Sequence, residues 1–490
     1  MTDGTGGPAR RVSLFWASLP LVVMGAVFVA GSFTLGMGTD LLVVTMLVSA
    51  AVAGVIAVRV GCTWDDIEQS TAEKIAAILP MILILLSIGL LIGTWVLSGT
   101  IPLLVYYGIE LVNPRYLLVT AFLVTAVMSL ATGTSWGSAG TIGVALVGTA
   151  IAIGAPVAAT AGAVVSGAYT GDKMSPLSDT TNIAALAANT DLYAHIRHMV
   201  WTAGPSFLIA LVVYAVAGGG GVAADAALPE SATRLMAEID QVYSLSWLAL
   251  LPPLVVVMGI VRKYPAVLSI AASSALAMVV GVAVQGFGVM DALVAAVSGF
   301  DTSMVASVGL DAAGFSDVFN DLLQRGGLYS MVDTLLVIIA AFLLAGAMDA
   351  SGALDVLLSS MLAAVKSVFG LIGTTMGAGA VMISLTSHAG VTALIVGGLF
   401  QKAYDERGLD RVNLSRSLED SVTIVEPLMP WTVTGLFMAT TLGVPTVEYL
   451  PWATFCYTGS IFSLLWAWFY RWTGVGIRVV EGTPVAEEVG

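Results

Sequence analysis

Residues Ser166–Asn182 read SGAYTGDKMSPLSDTTN, a polar stretch that interrupts the long apolar runs of the chain. Pro176 lacks an amide hydrogen, and Gly167 and Gly171 loosen the backbone, so a helix is predicted to unwind here. Unwound backbone at membrane depth is tolerated only where it lines protein or a water-filled cavity. The stretch therefore predicts a broken helix, provided that the runs around it cross a membrane.

Apolar residues make up 58% of the 490 positions and charged residues only 10%, whereas about a quarter of an ordinary soluble domain is charged. Runs of about 20 apolar residues, enough to cross the hydrocarbon core, recur along the chain. The first four are Leu14–Phe33, Leu41–Val58, Ile75–Val96 and Tyr116–Ala131. Because they lack the alternation of barrel strands, we predict an all-α polytopic membrane protein with about ten to thirteen segments.

The net charge of −14 comes from few ionisable residues, which cluster in tails and connections. This acidic surface argues against a nucleic-acid partner. Arg10 and Arg11 precede the first apolar run, so the positive-inside rule predicts a cytoplasmic N-terminus. The membrane itself is expected to be the plasma (inner) membrane. Cys62 and Cys456 lack disulfide or metal-site spacing, and neither a nucleophile–base set nor a phosphate loop is present, so no cofactor and no enzyme are predicted.

Two segments about 253 residues apart resemble each other: Leu91–Ile101 reads LIGTWVLSGTI and Leu344–Leu354 reads LAGAMDASGAL. Such similarity indicates a structural repeat with binding at broken helices, although Gly/Ala/Ser-rich composition alone is the alternative. With polar interruptions as boundaries, we predict N-terminal transmembrane helices and a cytoplasmic amphipathic segment (1–74), a first repeat (75–217), inter-repeat loops and connecting helices (218–330), a second repeat (331–470) and an acidic tail (471–490).

The first half contains ATGTSWGSAGT at Ala131–Thr141, followed by the opening stretch. Oxygen-bearing side chains are the ligands that a hard cation prefers, and a buried carboxylate selects positive charge. The predicted binding residues of this half are Thr134, Ser135, Asp172, Ser175, Ser178, Asp179, Thr180, Thr181 and Asn182. The alternative is an aqueous loop, with Asp172 paired to Lys173 and with Ser178 or Asp179 as a helix cap.

The second half contains SLTSHAGV at Ser384–Val391 and LSRSLEDSVTIVEPLMPWT at Leu414–Thr432. Glu419, Asp420 and Thr423 are its predicted binding residues. Arg416 stands three and four positions before the two acids, a helical spacing that lets it neutralise one of them.

Glu426 has no partner nearby in sequence, which makes it the best titrating candidate of this half. Asp172, Asp179 and His388 are the other candidates for carrying a proton. A hydrogen-bonded core histidine is the alternative for His388.

Four blocks in this order resemble the NhaC-type sodium/proton antiporter family, part of the ion-transporter superfamily: GTWVLSGTIP (Gly93–Pro102), ATGTSWGSAGTIGVA (Ala131–Ala145), SGAYTGDKMSPLSDTTNIAA (Ser166–Ala185) and LSRSLEDSVTIVEPLMPW (Leu414–Trp431). The resemblance implies inverted repeats, re-entrant hairpins, a scaffold that often dimerises and a transport part that moves as an elevator. It also implies exchange of sodium for protons across the bilayer, although relatives carry organic acids such as malate and lactate, or amino acids.

Glu426 departs from the family, in which we expect a small hydroxyl residue before the Pro-Leu of the last block. Our hypothesis is that Asp172 or Asp179 binds sodium, with Thr181 as a further ligand, while Glu426 and the Glu419–Asp420 pair share protonation. The alternative is a sodium- or proton-coupled carrier of a small organic acid or amino acid, and the extra carboxylate could receive an amine-bearing substrate.

Overall fold

The computed structural model describes residues 12–34, 38–219, 229–363 and 365–480. Within these ranges nine helices are long and apolar enough to cross a membrane, or up to eleven if two bent helix pairs each form one span. The polytopic all-helical class is therefore confirmed, and the number of spans overlaps the lower end of the predicted range. Arg10, Arg11 and residues 481–490, half of the predicted acidic tail, lie outside the described residues.

The helices up to the middle of the chain are α1 (Leu14–Thr34), α2 (Thr39–Val60), α3 (Trp64–Leu97), α4 (Thr100–Leu111), α5 (Leu117–Thr132), α6 (Ser135–Ser138), α7 (Val144–Ala152), α8 (Val157–Met174), α9 (Asp179–Ala187), α10 (Leu192–Gly219), α11 (Glu230–Val242) and α12 (Leu251–Val261). The remaining helices are α13 (Ala266–Ala283), α14 (Val289–Val297), α15 (Asp317–Leu323), α16 (Val332–Ala350), α17 (Ala353–Ala363), α18 (Val368–Thr386), α19 (Ala389–Asp405), α20 (Val412–Leu418), α21 (Val433–Leu442), α22 (Thr446–Tyr449) and α23 (Thr454–Thr473). Short 3-10 and π segments lie between several of them, and the β-pairing found in the described ranges is one isolated bridge, Leu409 to Val479.

Helices α5 and α8 pack closely and run in the same direction. A Cβ atom at Gly167 would collide with the carbonyl oxygen of Phe122, and one at Gly171 with that of Ala126. Both glycines lie inside α8, which remains helical through them as far as Met174. The prediction that they loosen the backbone was therefore wrong, because a missing side chain here lets two backbones touch.

Between these two helices the chain runs back in the opposite direction. Ser135 contacts Asp172, and Gly143 lies against Val164, so residues 135–152 are antiparallel to α8. The predicted break follows at Ser175–Ser178, where the Ser175 hydroxyl donates to the Leu130 carbonyl at 2.8 Å. The polar turns after α5 and α8 consequently lie side by side.

The second half has the same sequence of breaks. Helix α5 ends at Gly133 with φ 68° and α18 ends at Ser387 with φ 44°. Thr134 caps α6 and His388 caps α19, 254 positions later. The next break follows in the same way, since Ser178 precedes α9 and Thr432 precedes α21 at the same interval.

Candidate functional site

The breaks of both halves meet at one cavity of about 310 Å³. Polar groups at its wall come from the turn after α5, the end of α8, the start of α9, and the broken segment between α20 and α21. Apolar side chains of α3 and α12 close the other sides. The lining includes Met81, Ile84, Ile88, Thr134, Ser135, Trp136, Tyr169, Asp172, Asp179, Thr180, Val256, Ile260, Thr423, Glu426, Thr434 and Phe437.

Asp172 is the buried acid that the first half contributes. Its side chain comes from the last turn of α8, and the residue is 3% exposed. The Ser135 hydroxyl donates to Oδ2 at 2.8 Å, whereas Oδ1 has no hydrogen-bond partner among the described residues. One oxygen of this carboxylate is thus held in place and the other is available to a ligand.

Asp179 enters the cavity from the first turn of α9 and is exposed. Its Oδ1 accepts a hydrogen bond from the Thr180 amide at 2.9 Å. This contact follows from its position at the helix start, where free amides favour a carboxylate. Asp179 therefore adds a second negative charge to the same cavity.

Four predicted residues of the first half hold the break together and do not line the cavity. The Thr181 hydroxyl donates to the Lys173 carbonyl at 3.1 Å, and Asn182 donates to the Pro176 carbonyl at 3.0 Å. Ser175 binds the α5 backbone, and the Ser178 hydroxyl contacts that of Thr180 at 2.9 Å. Of the three proposed sodium ligands, Asp172 and Asp179 line the cavity, whereas Thr181 does not.

Glu426 is the buried acid that the second half contributes. It is 4% exposed, and its Oε1 has no hydrogen-bond partner among the described residues. The Thr432 hydroxyl donates to the Glu426 carbonyl at 2.8 Å, and Tyr449 fixes the next carbonyl, that of Pro427, at 2.5 Å. The broken backbone is thus rigid where it presents this carboxylate.

Positions 254 residues apart contribute to the same cavity. Asp172 corresponds in this way to Glu426, and Thr180 corresponds to Thr434; all four line the cavity. Thr434 was missed from the sequence, although the repeat interval applied to Thr180 would have found it. Tyr169 was missed too, and its counterpart at this interval is Thr423.

Glu419 and Asp420 are buried and lie outside the cavity lining. Asp420 Oδ1 forms an ion pair with Lys173 Nζ, with both side chains fully buried, and accepts a hydrogen bond from Thr202 at 3.2 Å. The alternative pairing of Lys173 with Asp172 is therefore wrong. Neither carboxylate oxygen of Glu419 has a hydrogen-bond partner in the described parts of the chain.

Arg416 forms no ion pair with Glu419 or Asp420 within the described ranges. Its Nη1 instead donates to the Gly476 carbonyl at 2.5 Å. The segment after α23 returns to α20 and offers this carbonyl. Arg416 thus connects the segment after α23 to α20, the helix that leads into the site.

His388 occupies the N-cap of α19, where its Nδ1 accepts from the Val391 amide at 3.4 Å. Thr134 has the corresponding role at α6, accepting from the Gly137 amide at 3.2 Å. His388 does not line the cavity, whereas its neighbour Ala389 does. Within the described residues no group of three or more His, Cys, Asp or Glu side chains is placed to hold a metal ion.

Helices broken in two halves around an acid-lined cavity are the architecture of a polytopic membrane transporter. Residues 167–469 match the Na+/H+ antiporter family. An uncharacterized Na(+)/H(+) antiporter of Haemophilus influenzae is 45% identical over 436 residues, 89% of this chain and 91% of the relative.

The Na(+)/H(+) antiporter NhaC of Alkalihalophilus pseudofirmus is 33% identical over 96% of this chain and 97% of its own length. The arginine/ornithine antiporter ArcD of Halobacterium salinarum is 36% identical, over 91% and 90%. The chain therefore belongs to the Na+/H+ antiporter family and is a transporter related to NhaC, which confirms the resemblance seen in its sequence.

Proposed function

We propose that the protein exchanges sodium for protons by alternating access. One observation supports this most directly: each half contributes a buried carboxylate, Asp172 or Glu426, with one unpartnered oxygen at a shared cavity. A buried carboxylate oxygen without a donor favours either a proton or a cation, since a buried bare charge is costly. If the carrier reorients only when the carboxylate holds a sodium ion or a proton, the two ions compete for it and their gradients are coupled.

We further propose that the halves are inverted repeats. In support, Gly218 and Phe207 of α10 lie against Leu118 and Phe122 of α5, so α10 and α5 are antiparallel. The same helix runs parallel to α20 and the π segment that continues it, because His198 meets Asn413 and Thr202 meets Asp420.

Helix α5 therefore runs opposite to α20, and so does α8, which is parallel to α5. Helix α20 occupies the position in the second half that α8 occupies in the first, 254 residues earlier, so the two halves run in opposite directions. An elevator movement, a homodimer, insertion into the plasma (inner) membrane and a cytoplasmic N-terminus remain proposals that follow from the family.

Proton flux in proteoliposomes tests the exchange. Sodium added to vesicles that hold the purified protein and a trapped pH-sensitive dye is expected to drive protons in the opposite direction. Asp172→Asn and Glu426→Gln are each expected to lower the rate at least tenfold, and Asp179→Asn is expected to abolish sodium-dependent proton movement. Glu406→Gln is the matched control, because Glu406 is 60% exposed in a surface pair with Lys402. Wild-type vesicles without sodium-driven flux would refute the proposal.

Coupled transport of a small organic acid or amino acid is the second candidate. The cavity volume of about 310 Å³ lies in the range of small-molecule sites, and the Halobacterium relative is by its name an arginine/ornithine antiporter. A solute that accelerates proton movement in the same vesicles would favour this candidate.

A further inference from the structure

All charged side chains among the described lining residues of the cavity are acidic. Asp172, Asp179 and Glu426 line it, and no Lys, Arg or His is among the described lining residues. The nearest basic residue in sequence, Lys173, is directed to Asp420 and fully buried in that ion pair. An organic anion would therefore meet three carboxylates and no compensating cation, whereas a cation would find the charge that it needs.

The unpartnered oxygens specify what kind of cation fits. Asp172 and Glu426 are both more than nine-tenths buried, and Oδ1 of one and Oε1 of the other lack a donor. Buried acceptors are almost always satisfied in folded proteins. A guanidinium group carries five N–H donors in a plane, and a primary ammonium carries three, so either can donate to an unpartnered carboxylate oxygen and still have donors left for further acceptors at the cavity.

The remaining walls suit an organic solute. A volume of about 310 Å³ lies in the range of small-molecule sites and is more than a dehydrated sodium ion occupies. Trp136 and Phe437 stack with ring centroids 4.1 Å apart, and both line the cavity. Aromatic faces attract organic cations, and Met81, Ile84 and Ile88 offer apolar surface to methylene groups.

We propose that the cavity binds a small organic cation, with its guanidinium or ammonium group at Asp172 and Glu426 and its carbon chain against the Trp136–Phe437 pair. This inference rests on the transport function proposed for the same cavity. It excludes the organic-acid alternative and narrows the solute to a guanidine, an amine or a basic amino acid.

Calorimetry of the purified protein in detergent tests binding without requiring transport. Methylguanidine, agmatine and arginine are the probes, and malate and lactate are the comparison. We expect at least one cation to bind and both acids to fail. Glu426→Gln and Phe437→Leu should each weaken cation binding at least tenfold, whereas Glu406→Gln should leave it unchanged. Glu426→Asp retains the carboxylate and should keep part of the affinity for the cation. Such partial binding would show that the loss in Glu426→Gln comes from the missing charge and not from misfolding.

The outcomes separate this inference from the proposed exchange. If sodium drives proton flux but none of the three cations binds or competes at 10 mM, about ten-thousandfold above the Kd of a micromolar ligand, the inference is overturned and the exchange stands. Binding of malate or lactate would overturn it as well. A cation that binds and exchanges across the vesicle membrane while sodium drives no flux would support the inference and refute sodium/proton exchange.

Discussion

Lys173 and Asp420 lie 247 positions apart and form a fully buried ion pair between the two halves. The pair is neutral as a unit, so it places no net charge behind Asp172. Removing one member of a buried pair leaves an uncompensated charge and typically costs about 3–5 kcal/mol. The pair therefore links the halves at the point where each helix breaks.

Lys173→Met is expected to destabilise the protein by about 3–5 kcal/mol because Asp420 loses its countercharge. The double variant Lys173→Met/Asp420→Asn should recover much of that loss. Thermal unfolding in detergent, followed by the monodisperse peak in size-exclusion chromatography, measures both. A double variant less stable than either single variant would contradict the assignment, since the two losses would then be independent.

Thr434 offers a test of a hydroxyl that the sequence did not single out. Thr434→Val keeps the shape of the side chain but removes an oxygen from the cavity wall, so the sodium concentration that gives half-maximal proton flux is expected to rise several-fold. Thr441→Val is the matched control: Thr441 lies on the same helix, is buried, and has an unpartnered hydroxyl, but it does not line the cavity. An equal effect of both variants would show that packing, not the oxygen, matters.

Local sequence signals led to some of the residues at the cavity. Asp172 and Asp179 stand among oxygen-bearing side chains at the predicted break, Glu426 has no partner nearby in sequence, and all three line the cavity. Glu419 and Asp420 were also predicted as binding residues, but they do not line it. Which hydroxyls face the cavity could not be read, since Thr180 and Thr181 are neighbours with different orientations. The pairing of residues that are distant in sequence, such as Lys173 with Asp420, could not be predicted from local patterns either.

At the scale of elements, α8 shows why a glycine is easily misread. Its glycines suggested an unwound backbone, yet they allow α8 to pack against α5, and the helix ends only before Pro176. The break itself was predicted correctly from the proline. The contribution of the glycines depends on a neighbouring helix, which no pattern within the segment itself reveals.

Gly171→Ala is expected to destabilise the α5–α8 pair, because the added Cβ would overlap the Ala126 carbonyl and neither backbone can yield easily. A loss of about 1–3 kcal/mol is typical of such overpacking. Gly398→Ala is the control, since Gly398 lies inside helix α19 with no atom within 4 Å of the new Cβ, and alanine favours a helix by about 1 kcal/mol. If both variants melt at the same temperature, the close contact is not tight.

At the scale of the whole molecule, the predicted class and family are confirmed, and the repeat that we propose accounts for the extra acid. Glu426 looked like a departure from its family in the sequence, yet it holds the position that corresponds to Asp172 across the two halves. Two buried carboxylates at one cavity allow the site to hold more than one positive charge per cycle. Replacing Glu426 with serine, the kind of residue expected there, should therefore lower the number of protons moved per sodium ion.

Alternating access requires the cavity to face each side of the membrane in turn, and Thr434 is placed to report this. With Cys62 and Cys456, the two cysteines of the chain, replaced by serine and alanine, Thr434→Cys provides a single thiol at the cavity. A membrane-impermeant maleimide should label it from one side in sodium-free buffer, and sodium should shift the accessible side or protect the thiol, because occupied and empty carriers differ in population. Thr440→Cys is the control on the same helix, since Thr440 contacts Thr334 at 3.0 Å outside this cavity. Labelling of Thr434→Cys from both sides at equal rates, with or without sodium, would indicate an open pathway and contradict alternating access.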